Sequence, residues 1–514
     1  MSYPKKLLRL RPTRGLGLDL PANEVSPDFY TGGSEIIFRD GIAERLGGER
    51  QAYSQSVTDP VFALLNVRAP GGVTESNFWL TFGEDDIQAL ETSNVDAVTG
   101  AALTAVTSPW QWSLTLLNNL PICTNGLDAP RYWGGDVGTP FTALPGWPAG
   151  TICKAIAAFR FHIFAFDIDG PSGHFESQVA WSDAADPGAV PSTWTAAATN
   201  EAGDAILADT PGPIMCGAPL AGSLVIFKRS STYAADYVGG ERIFNFRLLD
   251  GDRGALTRHS VIDVGGVFFV VGDGDIWLTD GTTWRSIAFG RVRDYLFGQL
   301  EQASYENLFV VHHRAKNEVW VCYPTAGNTF ATEALIYNVA ADAWGVRALT
   351  AVTCGAVGIV NDLAADESWN ADAEAWDADL SAWNAANFSL ATEQMLLGAN
   401  AADLTLIDSG DATARDATLY RHDLTMGEPE RLKFVRRLHC RTNATPGTLY
   451  VRVGSRMSVT DSTTWGAEVP LVPPASFVNV RALGRFISAE VRSEDTEVWQ
   501  VSGFDLEYEL RGYR

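Results

Sequence analysis

The feature that most constrains this chain is a repeated alternation of short apolar runs with turn residues. From about residue 55 to 430, β-type segments recur roughly every 8–15 residues, separated by Gly, Asp and Asn. Examples are 61–67 (VFALLNV), 78–82 (FWLTF), 156–166 (IAAFRFHIFAF), 223–227 (SLVIF), 267–271 (VFFVV), 307–311 (NLFVV), 318–323 (EVWVCY) and 333–337 (EALIY). Each has the length of an ordinary strand. Helical periodicity is confined to 291–300 (RVRDYLFGQL), which predicts one short helix. The pattern predicts an all-β protein. Strand groups recur at roughly 40–60 residues, the size of a four-stranded propeller blade with insertions. Hairpins closing on Trp284 (279–284, TDGTTW) and Trp344 (338–344, NVAADAW) suggest an aromatic that packs one blade on the next.

Three regions are expected. Residues 1–50 read as an extended N-terminal arm whose strands join a sheet elsewhere. They carry Arg9, Arg11 and Arg14, then Gly15 and Gly17, then a hairpin signal at Asp40-Gly41. Residues 51–430 read as a β-propeller with an exposed acidic insertion near 361–414. That insertion holds eleven acidic residues and no Lys or Arg, and Trp369, Trp376 and Trp383 recur in it every seven residues. Asp and Asn beside each Trp favour tandem turns over a helix. Residues 431–514 alternate with period two, as in 448–453 (TLYVRV), and carry twelve Lys/Arg against nine Asp/Glu. They read as a β-sandwich-like unit.

Composition narrows the function classes. With 46% hydrophobic residues, the 514-residue chain can bury a large core. A net charge of −24 argues against an extended phosphate-binding footprint, which needs clustered Lys and Arg. An acidic surface repels DNA, so a channel that DNA slides through without sticking is compatible with it. The six cysteines (Cys123, Cys153, Cys216, Cys322, Cys354, Cys440) show no C-x-x-C spacing, which predicts buried thiols. The first residues, MSYPKKLLRLRPTR, lack the apolar core of a secretory leader, and no apolar run is long enough to span a bilayer.

Catalytic motifs are absent. The chain has no P-loop, no G-x-G-x-x-G and no G-x-S-x-G elbow. His174-Phe175-Glu176 matches the H-x-E of zinc deaminases, but the partner P-C-x-x-C is missing. His312 and His313 are strand neighbours, so they point to opposite faces and cannot share a metal. Asp273 and Asp275 read as turn residues, and the Asp residues of 361–414 lack a calcium-loop pattern. No catalytic, cofactor-binding or metal-binding residue is nominated, and no cofactor is expected. The enzymatic alternative is a glycosidase-type propeller, because 279–284 and 458–465 (SVTDSTTW) loosely match sialidase Asp boxes. Such a fold could instead bind host surface glycans, with Trp369–Trp383 as an aromatic platform.

Several stretches carry a family resemblance. Residues 28–48 (DFYTGGSEIIFRDGIAERLGG) contain F-R-D-G-x-A-x-R-x-G-G. Residues 179–194 (VAWSDAADPGAVPSTW), 222–233 (GSLVIFKRSSTY), 369–383 and 485–514 follow in order along the chain. Together they resemble the tail nozzle (tail hub) proteins of short-tailed bacteriophages. The resemblance implies a structural virion protein, not an enzyme. It implies a propeller plus a platform domain completed by the N-terminal arm. It further implies a hexameric ring below the portal and adaptor, contacting adaptor proteins and tail fibres and enclosing the DNA exit channel. Such a protein is made in the bacterial cytoplasm and works in the virion tail, in genome retention and ejection.

Overall fold

The computed structural model describes residues 5–53, 57, 60–72, 77–91, 94–240, 242–360, 393–399, 404–409, 415–442, 449–471, 477–493 and 499–513. Among them, seven four-stranded antiparallel blades succeed one another, five as separate sheets and two as parts of one larger sheet that runs on into the second unit. Blade 1 is Ala63–Arg68, Asn77–Phe82, Ile87–Leu90 and Val95–Ala97. Blade 2 is Ser113–Leu117, Leu120–Thr124, Arg131–Tyr132 and Thr142–Ala143. Blade 3 is Ile152–Phe159, His162–Gly170, Gly173–Trp181 and Gly203–Ile206. Blade 4 is Ile214–Leu220, Ser223–Lys228, Thr232–Tyr237 and Phe244–Asp250. Blade 5 is Val261–Asp263, Phe268–Val271, Ile276–Thr279 and Trp284–Ser286. Blade 6 is Phe309–His313, Glu318–Tyr323, Ala331–Asn338 and the first half of Ala343–Ile359. The chain is a β-propeller.

Ala343–Ile359 serves two blades. Its first half pairs with Ala331–Asn338, and its second half pairs with Glu393–Ala399. Ala351 between them has φ +48°, where the strand turns out of one sheet and into the next. Blade 7 continues through Leu404–Ser409 and ends on Gly48–Gln51. The ring is therefore closed by a strand that precedes blade 1 in sequence. At the seam the Trp79 indole N–H donates to the Ile359 carbonyl at 2.8 Å, and the Thr353 hydroxyl donates to the Val61 carbonyl. Residues 393–399 and 404–409, expected inside an exposed acidic insertion, are thus blade strands. The Trp369, Trp376 and Trp383 repeat lies outside the described residues.

The burial pattern explains why alternation was weak in the propeller. The second strands of blades 2 and 6, Leu120–Thr124 and Glu318–Tyr323, are buried at every position. Neighbouring blades cover both of their faces, so they read as continuous apolar runs. Tryptophans fasten the blades to one another. Trp112, entering blade 2, donates to the Gly83 carbonyl of blade 1 at 2.9 Å. Trp344 in blade 6 is fully buried and donates to Ile287 after blade 5 at 3.1 Å. Trp284, read from sequence as its counterpart, is only half-buried and meets Trp277 edge-on.

The second unit is a sandwich of two sheets. One runs Lys5–Leu10, Gln500–Tyr513, Arg431–Thr442, Val478–Gly484. The other runs Gly32–Ser34, Ala417–Leu424, Phe486–Ser493, Leu449–Arg456. Leu438, Leu506, Leu419, Val451 and Val491 fill the space between them, in a core continuous with blades 5 and 6. This platform takes in Ala417–Leu424, ahead of the boundary expected at 430. The arm also divides, because its last strand, Gly48–Gln51, joins blade 7. The short helix expected at 291–300 is Arg293–Gln299, and the Asp19 carboxylate of the arm accepts the Arg293 and Tyr295 N–H groups.

The hairpin Ile36–Arg39 / Ile42–Arg45 joins the two units. It turns at Asp40-Gly41, both with positive φ, and pairs with blade 6 on one side and with Gln500–Tyr513 on the other. Charges bury with it. Arg39 meets Glu318 at 2.6 Å, Glu44 at 2.9 Å and Asp408 at 3.0 Å. Arg347, fully buried, meets Glu49 at 3.1 Å, Glu35 at 3.6 Å and the Gly47 carbonyl at 3.1 Å. Burial pushes the Glu35 and Glu318 carboxyls up, with Arg347 and Arg39 holding them back only in part. Asp408 is also pushed up by burial, but Lys316, Arg39 and the Gly47 N–H outweigh this and hold it below its ordinary value.

Replacing Arg347 with Met is expected to leave Glu35 and Glu49 buried with only Arg415 as a cation, 3.9 Å and 2.9 Å away, at a cost of up to about 3–5 kcal/mol. Thermal unfolding followed by circular dichroism should show a lowered midpoint. The loss should be larger at pH 8 than at pH 5, because a carboxyl already raised by burial is relieved by protonation as the pH falls. An unchanged midpoint at pH 8 would contradict this account.

Candidate functional site

The propeller axis is where a fold of this kind most often carries a site, because every blade contributes to it. Here it is built around Arg258, in the connection from blade 4 to blade 5. Its guanidinium lies 5.0 Å from the Trp110 ring centre, ahead of blade 2, and 3.3 Å from the Asp167 carboxylate of blade 3. Glu306 ahead of blade 6 and Cys153 of blade 3 also act on its charge, and that charge in turn acts on Cys216 of blade 4. A single side chain can reach so many blades only at the centre of the ring. Burial pushes the Arg258 guanidinium below its ordinary value, against the pull of Asp167 and Glu306. Next to it, burial and the Arg258 charge push His259 down to about 4, so its imidazole is neutral at physiological pH.

The axial space is divided into small cavities. One, of about 270 Å³, is lined by Phe62–Leu65, Trp110, His259, Glu306–Val310 and Thr353–Gly355. Another, of about 310 Å³, is lined by Asp263, Val310–His312, Arg314, Gly355–Val357 and Glu393. Each holds a few waters or one small molecule, and neither admits a polynucleotide. Asp167 also meets the exposed His174 at 2.5 Å, so a chain of polar side chains runs from the surface to Arg258.

Residues singled out in the sequence occupy the following positions. His174 and Glu176 are both exposed on Gly173–Trp181. His313 is buried, while His312 is half-buried with Nδ1 3.0 Å from the Asp263 carbonyl, on opposite faces as read. All six cysteines are free thiols, and burial pushes Cys123, Cys153, Cys216, Cys354 and Cys440 up to about 12. Asp280 accepts the Thr282 and Thr283 N–H groups, which hold its carboxyl well below the usual range. Asp461 accepts the Ser458 N–H at 2.8 Å. Both Asp-box-like stretches are therefore turns closed by a carboxylate. Asp275 accepts its neighbour Ile276 N–H and the Ser286 hydroxyl, again within a turn. Among the described residues no group of three or more His, Cys, Asp or Glu is placed to hold a metal, and no helix is long and apolar enough to cross a membrane. The Arg258–Asp167 pair had no local signal, because ninety-one positions separate its members.

Charge is divided between the two units. Residues 51–430 carry 18 Lys/Arg against 46 Asp/Glu, a net −28. Residues 1–50 and 431–514 together carry 20 against 16, a net +4. On the outer platform sheet Lys5, Arg437 and Arg441 alternate with Glu507 and Asp505 in cross-strand pairs.

No family model matches the chain, and no curated protein matches it. Among solved structures, it is similar to the β-propeller domain of Myceliophteria thermophila Cps50 (Swd1), at 10% identity and TM-score 0.39, covering 70% of this chain and 100% of that one. It is similar to the WD40 propeller domain of Doa1 at 8% identity and TM-score 0.37, covering 70% and 97%. A putative gluconolactonase matches at 12% identity and TM-score 0.33, covering 61% and 96%. The propeller assignment rests on the seven blades described above.

Replacing Arg258 with Met is expected to cost about 3–5 kcal/mol, because Asp167 stays buried with only an exposed histidine beside it. Replacing Arg253, which is 43% exposed and leaves Asp250 still accepting the Asp252 and Arg253 backbone N–H groups, should cost less than about 1 kcal/mol. Urea unfolding followed by tryptophan fluorescence distinguishes the two. Equal effects would show that Arg258 does not hold the axis.

Proposed function

We propose that the chain is a structural subunit of a bacteriophage tail nozzle, a homo-oligomeric ring around the path by which DNA leaves the particle. The observation that carries this reading is the dual use of residues 1–50. The strands Lys5–Leu10 and Gly32–Ser34 complete the platform sheets, while Gly48–Gln51 completes the propeller. A propeller joined to an arm-completed platform is the architecture that the sequence resemblance implies.

The motifs behind the resemblance support it by where they fall. Residues 28–48 contain the hairpin between the two units, 179–194 and 222–233 lie in blades 3 and 4, and Phe486–Ser493 and Gln500–Tyr513, within 485–514, are platform strands. Residues 369–383 lie outside the described residues. In this reading the path of DNA runs between subunits. The net −28 of the propeller segment would repel phosphate, so that DNA slides without binding. The role is mechanical and electrostatic, with adaptor proteins and tail fibres as neighbours.

Cryo-electron microscopy of the native particle is expected to find six copies around the DNA exit axis, with acidic residues on the lumen. A peripheral position would defeat the reading, and a mainly basic lumen would defeat its electrostatic part. Deleting residues 1–45, which spares the blade 7 strand Gly48–Gln51, is expected to abolish the ring in sedimentation velocity. An intact ring from that truncation would remove the arm from the assembly.

A further inference from the structure

Where blades 2 and 3 meet, the propeller opens outward into a cleft of about 260 Å³. Its floor is the face of blade 3 that carries Ile168, Gln178, Ala180 and Asp204. Ala180 sits opposite Asp204 across the last strand pair, and Gln178 is two residues along, so the three share one face. Elsewhere this interface is apolar, with Leu117, Ile156, Ile163 and Ala165. Gln178 and Asp204 break that pattern as a pair, the amide donating to the carboxylate at 3.2 Å.

The walls are aromatic. Trp147 comes from the connection between blades 2 and 3, and Trp194 from the connection before Gly203–Ile206. Their rings meet edge-on with centroids 4.6 Å apart. Trp147 is half-buried, and its N–H is fixed to the Thr151 carbonyl at 2.7 Å, which sets the ring. Trp194 is 7% exposed, and its buried indole N–H has no hydrogen-bond partner. Native folds seldom leave such a donor unmade without a reason.

An oriented aromatic wall beside a carboxylate and an amide suits a ligand with one apolar face and a rim of hydroxyls. A sugar ring has that form. The cleft lies just below the ~300 Å³ small end of ligand sites, enough for one ring. Asp204 disfavours an acidic sugar. A proline-rich peptide would need a longer groove with a row of aromatics.

We propose that this cleft binds a single neutral hexopyranose, the terminal ring of a glycan, stacked on Trp147 with its hydroxyls donating to Asp204. The site is independent of whether the protein forms a ring. It assigns recognition to the outer side of blade 3, away from the Trp369, Trp376 and Trp383 repeat.

The test is saturation-transfer NMR on the full chain with free glucose, galactose, N-acetylglucosamine and rhamnose, up to about 10 mM. At least one is expected to bind, and to shift the Trp194 indole proton. Trp147→Ala should weaken binding about tenfold or more and Asp204→Asn severalfold, while Trp147→Phe keeps most of it. Val238→Ser, at an exposed position of blade 4's outer hairpin, should change nothing. If Trp147→Ala fails to fold, the Trp194 proton of the unaltered protein decides, and an unmoved signal overturns the proposal. No transfer from any of the four sugars, or equal affinity in Trp147→Ala and Asp204→Asn, also overturns it. So does preferential binding of sialic acid or of a proline-rich peptide.

Discussion

The architecture depends on a buried set of charges around one hairpin. Arg39 reaches blade 6 through Glu318 and blade 7 through Asp408, while Arg347 reaches back from blade 6 to Glu35 and Glu49 of the arm. Bringing such groups out of water is costly, and their attraction compensates only when each finds several partners. That is the arrangement here, since Arg39 has three carboxylates around it and Asp408 is shared by Arg39, Lys316 and the Gly47 N–H. The value of such a set lies in specificity as much as in stability. An apolar hairpin could slide or dock elsewhere, whereas this one is satisfied in a single register. Gly15 adds to the same constraint: a Cβ there would stand 2.5 Å from the Trp344 nitrogen, so only glycine lets the arm pass that close to blade 6.

From this joint the two units diverge in character. The propeller is aromatic in its seams, strongly acidic overall and carries Arg258 over the Trp110 ring between its blades. The platform is an alternating sandwich with a slight positive balance and rows of Arg against Glu on its outer sheet. A rigid acidic body on a mildly basic base has a built-in charge asymmetry. Copies placed side by side would feel it before any side chain touched.

Much of the fold was legible in the sequence. Short apolar runs with Gly and Asp turns gave away the blades, the Asp40-Gly41 turn its hairpin, and the period-two stretches the platform. The parts that were not legible share a physical cause. Blade 7 draws its strands from residues 48–51, 352–359, 393–399 and 404–409, so no contiguous stretch looks like a blade. Leu404–Ser409 was masked in sequence by the acid-rich composition around it. The Arg258–Asp167 pair and the Trp147–Trp194 wall join residues from different connections, and pairings of that kind leave no spacing to read. The absence of catalytic motifs was readable, but the polar pair on the floor of blade 3 was not. Gln178 and Asp204 stand out only once their apolar neighbours are known.

The placement of the first strands sets the order in which this protein can become itself. Lys5–Leu10 is made long before its partner, 504–509. Gly48–Gln51 likewise waits for 405–409. Loop closure over such distances is slow, and it cannot begin until the partner exists. Blades 1 to 6 can form during synthesis, while the propeller seam stays open and the arm stays unpaired. A chain that stops before 504–509 leaves both Lys5–Leu10 and Arg431–Thr442 without their shared partner, so the topology itself holds back assembly until that strand is made.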